Sequence, residues 1–285
     1  MKANSPVVRL QKGRFAMSII PFDYHVHSSI SPDSKCPMED SCRAAVENGL
    51  TELVFTEHLE FYSPGHTGYP FDAAYLDRYF ETLEACRRQF AGALSLPSGI
   101  EIGQPTVNPE HVHQLLDGRS FDYRIGSVHK IQDKDLAFWD LPHADTHALC
   151  LEALQLTLDL AQSDWYDCLG HIDLIKRYGA RQGIAISLEP YEDELAQICR
   201  TVIQKGKGIE LNTSGLRQEA KETLPSLAIL RLYRSLGGEI ITMGSDSHRA
   251  ADLAAGFETG RQLLLEAGFT HLCRFSQGKP QFLPL

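Results

Sequence analysis

The 285-residue sequence predicts an α/β fold in which seven strand–helix units share one parallel sheet. Short apolar segments typical of strands alternate with amphipathic helical segments from residue 22 to the C-terminus. No change in composition divides this stretch, and polar residues follow the ends of the strand segments. Seven such units can close into a barrel related to the eight-stranded one, whose active sites lie at the carboxyl ends of the strands. An open doubly wound sheet is the alternative.

The first half of the chain predicts four strands and four helices. Pro37 is a favourable first residue for the first helix, and Gly49 suits the position just after its end. In the second helix, Leu76, Phe80 and Leu83 repeat at spacings of four and three residues. The predicted strands cover residues 22–27, 52–56, 94–102 and 123–128, and the later helices cover residues 73–90, 109–116 and 143–162.

The second half continues the same alternation of strands and helices. Gly237 and Gly268 each follow a predicted helix, at the position where glycine commonly ends one. The predicted strands cover residues 167–172, 208–212 and 239–243, and the helices cover residues 189–205, 224–236 and 253–267. Residues 272–275 are predicted as one more short strand.

Composition limits the classes of function. A net charge of −10 disfavours nucleic acid or an acidic membrane as the main partner, but it does not exclude an anionic small substrate. Seven cysteines without CxxC spacing indicate unpaired thiols in a reducing compartment. No apolar run is long enough to span a membrane or to form a signal peptide. We expect a cytoplasmic protein with an N-terminal extension at residues 1–20, which could be disordered, and a single domain at residues 21–285; the oligomeric state is left open.

Two predicted strands end in pairs of potential metal ligands that are two residues apart. His25 and His27 end the first strand, and Asp246 and His248 follow the last. Because side chains alternate along a strand, each pair points to one face. One strand can therefore supply two ligands to a metal, although a single HxH pair is a weak signal.

Glu101 stands out in the third predicted strand because it is a lone carboxylate between Ile100 and Ile102. A carboxylate is costly to bury without a partner. Two cations bridged by its two oxygens would supply that partner.

Further potential ligands follow the remaining strand ends. Neutral imidazole is the commonest protein ligand of transition metals, and six of the twelve histidines fall where successive predicted strands end. This placement favours a polynuclear metal centre at the mouth of the barrel over coincidence. The predicted ligands are His25, His27, Asp33, His58, Glu101, His129, His171, Asp246 and His248. Six other histidines lack this placement and are not assigned to the site: His66, His111, His113, His143, His147 and His271.

The ligand-bearing segments, taken in order, resemble the PHP (polymerase and histidinol phosphatase) superfamily. They read FDYHVH, TEH, GIEIG, GSVHK, GHID and GSDSH. The resemblance runs from about residue 22 to the C-terminus, and GHIDLIKRY, ELNTSGLR and ITMGSDSH are most similar to its histidinol-phosphate phosphatase branch. It implies a distorted, TIM-barrel-like (β/α)7 barrel of the PHP type that binds two to three divalent ions of zinc, iron or manganese.

The resemblance also implies how the ligands divide among the ions. One ion would be bound by His25, His27, Glu101 and Asp246, a second by Glu101, His129 and His171, and a third by Asp33, His58 and His248. Position 33 is a histidine in some relatives and an aspartate here. Glu57 and Asp173 are expected to orient neighbouring imidazoles.

Clustered divalent ions lower the pKa of a bridging water, which suits in-line attack of hydroxide on a phosphate ester. Arg177 and Arg217 follow strand ends and are the expected phosphate contacts, because a guanidinium can meet phosphate with two hydrogen bonds. Lys130 and Lys176 are weaker candidates. His248 or a metal-bound water is the candidate acid for the leaving group.

The resemblance therefore implies a phosphomonoesterase that hydrolyses L-histidinol phosphate to L-histidinol and phosphate in histidine biosynthesis. Three carboxylates, Glu57, Glu60 and Asp72, are candidates to contact the ammonium group of such a substrate. A phosphotyrosine-protein phosphatase would need the same metals and differ only at the rim of the pocket. A phosphodiesterase or exonuclease fits the charge of −10 poorly. A non-catalytic metal-binding barrel is disfavoured by the complete ligand set.

Overall fold

The computed structural model describes residues 20–285. The N-terminal extension predicted for residues 1–20 therefore lies, except for its last residue, outside the described residues. The strands are β1 (Phe22–Val26), β2 (Glu52–Glu60), β3 (Ser98–Gly103), β4 (Tyr123–Ser127), β5 (Lys130–Ile131), β6 (Lys134–Asp135), β7 (Cys168–Leu169), β8 (Gly208–Asn212), β9 (Ile241–Gly244), β10 (His271–Ser276) and β11 (Lys279–Pro284). The helices are α1 (Met38–Glu47), α2 (Ala73–Gln89), α3 (Pro109–Leu116), α4 (Thr146–Gln162), α5 (Ile175–Arg181), α6 (Glu192–Gln204), α7 (Leu227–Ser235) and α8 (Phe257–Glu266).

Seven parallel strands form one sheet in the order β1-β2-β3-β4-β7-β8-β9. The two ends of this sheet meet, because the backbone N–H of His27 donates to the carbonyl of Ser247, just after β9, at 2.8 Å. The sheet thus nearly closes into the predicted seven-stranded barrel, and the open doubly wound alternative is excluded. Strand β7 contains only two residues, so the barrel is irregular there.

Several element boundaries differ from the prediction for local reasons. Strand β2 continues to Glu60, because its backbone stays paired with β3 as far as Gly103. Strand β3 begins at Ser98, directly after Pro97, which has no N–H to donate. Helix α4 begins at Thr146, where the carboxylate of Asp145 accepts from the backbone N–H of Ala148 at 3.0 Å.

Four elements were not predicted: strands β5 and β6, which form a hairpin, helix α5 and strand β11. The hairpin is too short to show a period in the sequence. Strand β11 pairs with β10 in an antiparallel hairpin in which Leu272 lies opposite Leu283. The short strand predicted at residues 272–275 is therefore one arm of this hairpin. No helix among residues 20–285 is long and apolar enough to cross a membrane.

Aromatic side chains fill the amino-terminal half of the barrel. The rings of Tyr24 and Tyr123 meet edge to face at 5.1 Å, and Phe275 of β10 lies 5.0 Å from Tyr123. The hydroxyl of Tyr123 forms a hydrogen bond of 2.8 Å with Thr242, which spans the interior from β4 to β9. This packed layer supports the polar side chains at the opposite ends of the strands.

Candidate metal centre

The structure brings all nine predicted ligands together at the carboxyl ends of the barrel strands. Their imidazole and carboxylate groups form one continuous cluster, with ligand atoms of several triplets lying within 4.8 Å of one another. Three of the triplets are made up of predicted ligands alone: His25, His27 and Glu101; His27, His58 and His248; and Glu101, His129 and His171.

The first group of side chains surrounds one oxygen of Glu101. The Nε2 atoms of His25 and His27 lie 3.0 Å apart, and they are 3.5 and 3.6 Å from Glu101 Oε2. Asp246 Oδ1 lies 3.8 Å from His25 Nε2 and 3.6 Å from His27 Nε2. Two imidazole nitrogens and two carboxylate oxygens therefore converge on one small space.

The second group surrounds the other oxygen of the same carboxylate. Glu101 Oε1 lies 2.9 Å from His171 Nε2 and 3.1 Å from His129 Nε2. Glu101 thus presents one oxygen to each group, which is the arrangement that a bridging carboxylate requires.

The third group lies closer to solvent. Asp33 Oδ2 is 3.0 Å from His248 Nε2 and 3.3 Å from His58 Nε2. The ring of His27 packs against the rings of both His58 and His248, with centroid distances of 4.2 and 4.3 Å, and so joins this group to the first. Asp33 is about half exposed, unlike the buried Glu101.

The donor set fits divalent metal ions. Imidazole nitrogens and carboxylate oxygens are the usual ligands of zinc and related metals. In addition, His171 Nδ1 is buried without a hydrogen-bond partner among residues 20–285, and Glu101 Oε2 lies 2.8 Å from His58 Nδ1 without forming an aligned hydrogen bond. Unpartnered buried polar atoms are costly, and a cation would satisfy the carboxylate oxygen.

Carboxylates outside the cluster orient its imidazoles. Glu210 Oε1 lies 2.6 Å from His25 Nδ1, and Glu60 Oε1 lies 2.5 Å from His129 Nδ1. Each contact holds a proton on Nδ1 and leaves Nε2 free to bind a metal. The sequence analysis missed Glu210, although it stands alone in a buried apolar strand as Glu101 does. It assigned Glu60 to the substrate, because β2 was predicted to end before that residue.

The two carboxylates expected to orient imidazoles do not contact an imidazole directly, and each accepts hydrogen bonds from backbone N–H groups. Glu57 accepts hydrogen bonds from the backbone N–H and hydroxyl groups of Ser28 and Ser31, and it reaches His27 only through Ser31. Burial raises the pKa of Glu57 to about 7, despite these hydrogen bonds. Asp173 pairs with Lys176 at 2.8 Å and accepts from the backbone N–H of Ser226. The expectation for Asp173 was therefore wrong.

The expected phosphate contacts occupy different positions. Arg177 lines the cavity above the cluster, and its guanidinium donates to Asp246 Oδ2 at 2.8 Å and to Ser214. Arg217 donates to the backbone carbonyl of Asp246 at 2.8 Å and is not among the cavity-lining residues. The weaker candidates are engaged elsewhere, since Lys130 contacts Glu60 and Lys176 contacts Asp173.

Opposite charges dominate the electrostatics of the centre. Burial disfavours protonation of His129, but the carboxylates of Glu60 and Glu101 outweigh burial and raise its pKa to about 9. Burial would raise the pKa of Glu101, but the surrounding imidazoles hold it well below its usual range. The carboxylates thus attract positive charge into the centre, as protons or as metal ions.

A cavity of about 250 Å³ opens above the centre. Aromatic side chains form much of its wall, and the cluster forms its floor. The aromatic residues are Tyr62, Tyr69, Phe71 and Tyr178. Glu57 and Asp72, two of the carboxylates expected to contact a substrate, are not among the lining residues; Asp72 instead caps α2 by accepting from the backbone N–H of Tyr75.

Fold and site together define an α/β barrel with a cluster of potential metal ligands at the carboxyl ends of its strands. The sequence model of the PHP domain matches residues 23–214, more than half of the chain. The protein belongs to the PHP domain family.

Its relatives include a histidinol-phosphatase and probable histidinol-phosphatases. The sequence is 31% identical to the histidinol-phosphatase of Lactococcus lactis over 89% of this chain and 94% of that protein. It is 28% identical to a probable histidinol-phosphatase of Clostridium acetobutylicum over 85% of this chain and 92% of that protein.

A solved structure of the Lactococcus lactis histidinol phosphate phosphatase, in complex with zinc, L-histidinol and phosphate, is similar to this one. The TM-score is 0.79 at 29% sequence identity, and the similarity covers 93% of this chain and 100% of that chain. A putative histidinol phosphatase from Listeria monocytogenes shares the fold, with a TM-score of 0.73 at 21% identity.

Proposed function

We propose that this protein is a metal-dependent phosphomonoesterase that hydrolyses L-histidinol phosphate to L-histidinol and phosphate in histidine biosynthesis. The observation that carries the proposal is the placement of Glu101 between two groups of imidazoles, one facing each carboxylate oxygen. The 31% identity to a histidinol-phosphatase supports the substrate. The similar structure that contains zinc, L-histidinol and phosphate supports both the metal and the products.

We further propose that two to three divalent ions, of zinc, iron or manganese, bind at the three groups of side chains. The first ion would take His25, His27, Glu101 and Asp246, the second would take Glu101, His129 and His171, and the third would take Asp33, His58 and His248. The third group is the most exposed of the three, which supports weaker binding there. Bound divalent ions lower the pKa of a coordinated water and neutralise phosphate oxygens.

Arg177 would bind the phosphoryl group. Its guanidinium is held by Asp246 and Ser214 at the edge of the cavity, so its orientation is determined before the substrate arrives. Burial opposes its charge, but Asp246 outweighs burial and raises the pKa of the guanidinium. A fully charged, pre-oriented guanidinium stabilises the negative phosphoryl oxygens.

The contacts of Arg217 support a role different from the expected binding of phosphate. Asp246 has a positive φ of 52°, a left-handed conformation that costs energy for residues other than glycine, and Arg217 donates to its carbonyl oxygen. Arg217 would therefore position Asp246. The candidate acid for the leaving oxygen is a metal-bound water or, where no third ion is bound, His248, which is about one-third exposed at the cavity.

We also propose that residues 21–285 form a single domain. The barrel strands run from β1 to β9 without interruption, and the β10–β11 hairpin packs against the barrel through Phe275. The cytoplasmic location and the exclusion of nucleic acid stay predictions from the sequence.

Turnover of three phosphate esters tests the function. The protein is purified, its metal content is measured, and the same sample is assayed with L-histidinol phosphate, phosphotyrosine and bis-p-nitrophenyl phosphate. We expect a strong preference for L-histidinol phosphate and two to three ions per chain. Preference for phosphotyrosine or for the diester would change the proposed substrate but leave the proposed metal centre in place. No turnover after addition of Mn²⁺ or Zn²⁺ would contradict the catalytic proposal.

A further inference from the structure

One carboxylate in the cavity wall lacks a cationic partner within the part of the chain that the structure describes. Five acidic residues line the cavity, and four of them pair with nitrogens: Asp33 and Glu101 with imidazoles, Glu60 with Lys130, and Asp246 with Arg177. The fifth, Asp135, is half-buried and forms no ion pair among residues 20–285.

The lysine opposite Asp135 in the β5–β6 hairpin contacts other groups. Lys130 lies directly opposite Asp135 in the β5–β6 hairpin. Its ammonium group instead contacts the carboxylate of Glu60 and lies 4.5 Å from the centre of the Tyr62 ring. The negative charge of Asp135 therefore remains directed at the cavity.

The hairpin that carries Asp135 is held rigidly. Its turn residues Gln132 and Asp133 both have positive φ, as a tight two-residue turn requires. Asp133 accepts from the backbone N–H of Ser63 at 2.9 Å, and Gln132 donates to Glu152 at 3.0 Å. Such fixation lowers the entropy lost when a ligand binds.

The remaining contacts of Asp135 leave it able to accept a further hydrogen bond. Its Oδ1 accepts from the backbone N–H of Ala137 at 2.7 Å, which fixes the carboxylate and leaves Oδ2 available. Tyr62 and Tyr178 line the same cavity. Aromatic walls reduce the local dielectric and strengthen a charge-assisted hydrogen bond.

We propose that Asp135 binds the ammonium group of the substrate and makes the enzyme selective for phosphate monoesters of amino alcohols. The proposal rests on the proposed function, because it needs the phosphoryl group of the same molecule to lie at the metal centre beside Arg177. Glu60, expected from the sequence to contact the ammonium group, is neutralised by Lys130 and serves His129. Asp135 is thus a specificity-determining residue that touches the substrate away from the reacting bond.

The test compares L-histidinol phosphate with its deamino analogue, in which hydrogen replaces the ammonium group. Asp135→Asn removes the charge but keeps an oxygen for the N–H of Ala137. Asp133→Asn removes the same charge from the same hairpin at a position that does not line the cavity, and it serves as the matched control. We expect Asp135→Asn to raise KM for L-histidinol phosphate about 10- to 100-fold, with kcat nearly unchanged.

The preference for the amine over the deamino analogue should be lost in Asp135→Asn and retained in Asp133→Asn. An unchanged preference in Asp135→Asn, or an equal loss in both variants, would overturn the assignment while leaving the phosphatase function intact. A wild-type protein that turns over neither ester would contradict the proposed function instead. In that case calorimetric titration with L-histidinol alone decides: weaker binding to Asp135→Asn than to wild type supports the amine site, and equal binding or none refutes it.

Discussion

The two halves of the barrel interior are both buried, but they satisfy their polar groups in different ways. In the amino-terminal half, the hydroxyl of Tyr24 donates to Glu52 at 2.6 Å, and that of Tyr123 pairs with Thr242. In the carboxyl-terminal half, His171 Nδ1 has no hydrogen-bond partner among the described residues, and Glu101 Oε2 meets His58 Nδ1 at 2.8 Å without an aligned hydrogen bond. The first half is complete without a ligand, whereas the second is arranged for one.

This difference separates stability from function along the same strands. Strand β4 begins with Tyr123 in the aromatic layer and ends at Ser127, whose hydroxyl donates to Glu101 at 2.7 Å. A change at the amino-terminal half should therefore affect folding, and a change at the other half should affect metals and turnover.

The largest expected effect comes from Glu101→Gln. An amide nitrogen cannot ligate a metal, so the variant loses the group that faces both sets of imidazoles. We expect kcat for L-histidinol phosphate to fall by about a thousandfold, with fewer metal ions per chain by elemental analysis. Full activity in this variant would show that the carboxylate does not bridge. Tyr123→Phe is the control from the other half and should keep its activity.

A smaller effect is expected from Glu210→Gln, which weakens the contact with His25 Nδ1 without removing a ligand. Supporting carboxylates of this kind change metal affinity or activity by about 10- to 100-fold. Competition with a chelator should report the weaker affinity, and excess metal should restore most of the turnover. Loss of turnover that no metal concentration restores would instead indicate damage to the fold.

Metal binding should release protons at neutral pH. The pKa of His129 is raised to about 9 by Glu60 and Glu101, so its imidazole is protonated at pH 7 in the metal-free protein. A ligating imidazole must be neutral. The apparent affinity for the metal should therefore decrease as the pH falls below 9. For each proton that the metal displaces, the decrease is about tenfold per pH unit. Calorimetry in two buffers of different ionisation enthalpy measures the release, and identical heats would contradict it.

The smallest effect is expected from Tyr123→Phe in the aromatic layer. The variant loses one buried hydrogen bond to Thr242, which contributes about 1 kcal/mol to the free energy of unfolding. Urea denaturation of the metal-free protein should show this loss, while KM and kcat stay at wild-type values. A large fall in kcat would mean that the two halves of the barrel are coupled more strongly than their contacts indicate.

The positions of the ligands could be predicted because strand ends leave a periodic signal. His25 and His27, two residues apart, had to share a face, and a lone Glu101 in an apolar strand required a partner. Parallel strands place their carboxyl ends at one side of a barrel, so residues distant in the chain could be assigned to one centre.

The supporting groups were harder to predict. Glu210 carried the same signal as Glu101, a lone carboxylate in an apolar strand, and was overlooked. The role of Glu60 depends on the exact length of β2, which is determined by pairing with β3 rather than by local preference. Arg217 follows a strand end as Arg177 does, yet it turns towards the backbone of Asp246.

The sequence alone determined the alternation of strands and helices, the barrel class and the identity of the nine candidate ligands, because each depends on local periodicity and residue chemistry. Only the tertiary structure decided which carboxylates face the cavity with their charge unpaired. Asp135 and Glu60 both carry a carboxylate, but Asp135 forms no ion pair among the described residues, whereas Glu60 pairs with Lys130. Such pairing joins residues from separate loops, and no local pattern in the chain records it.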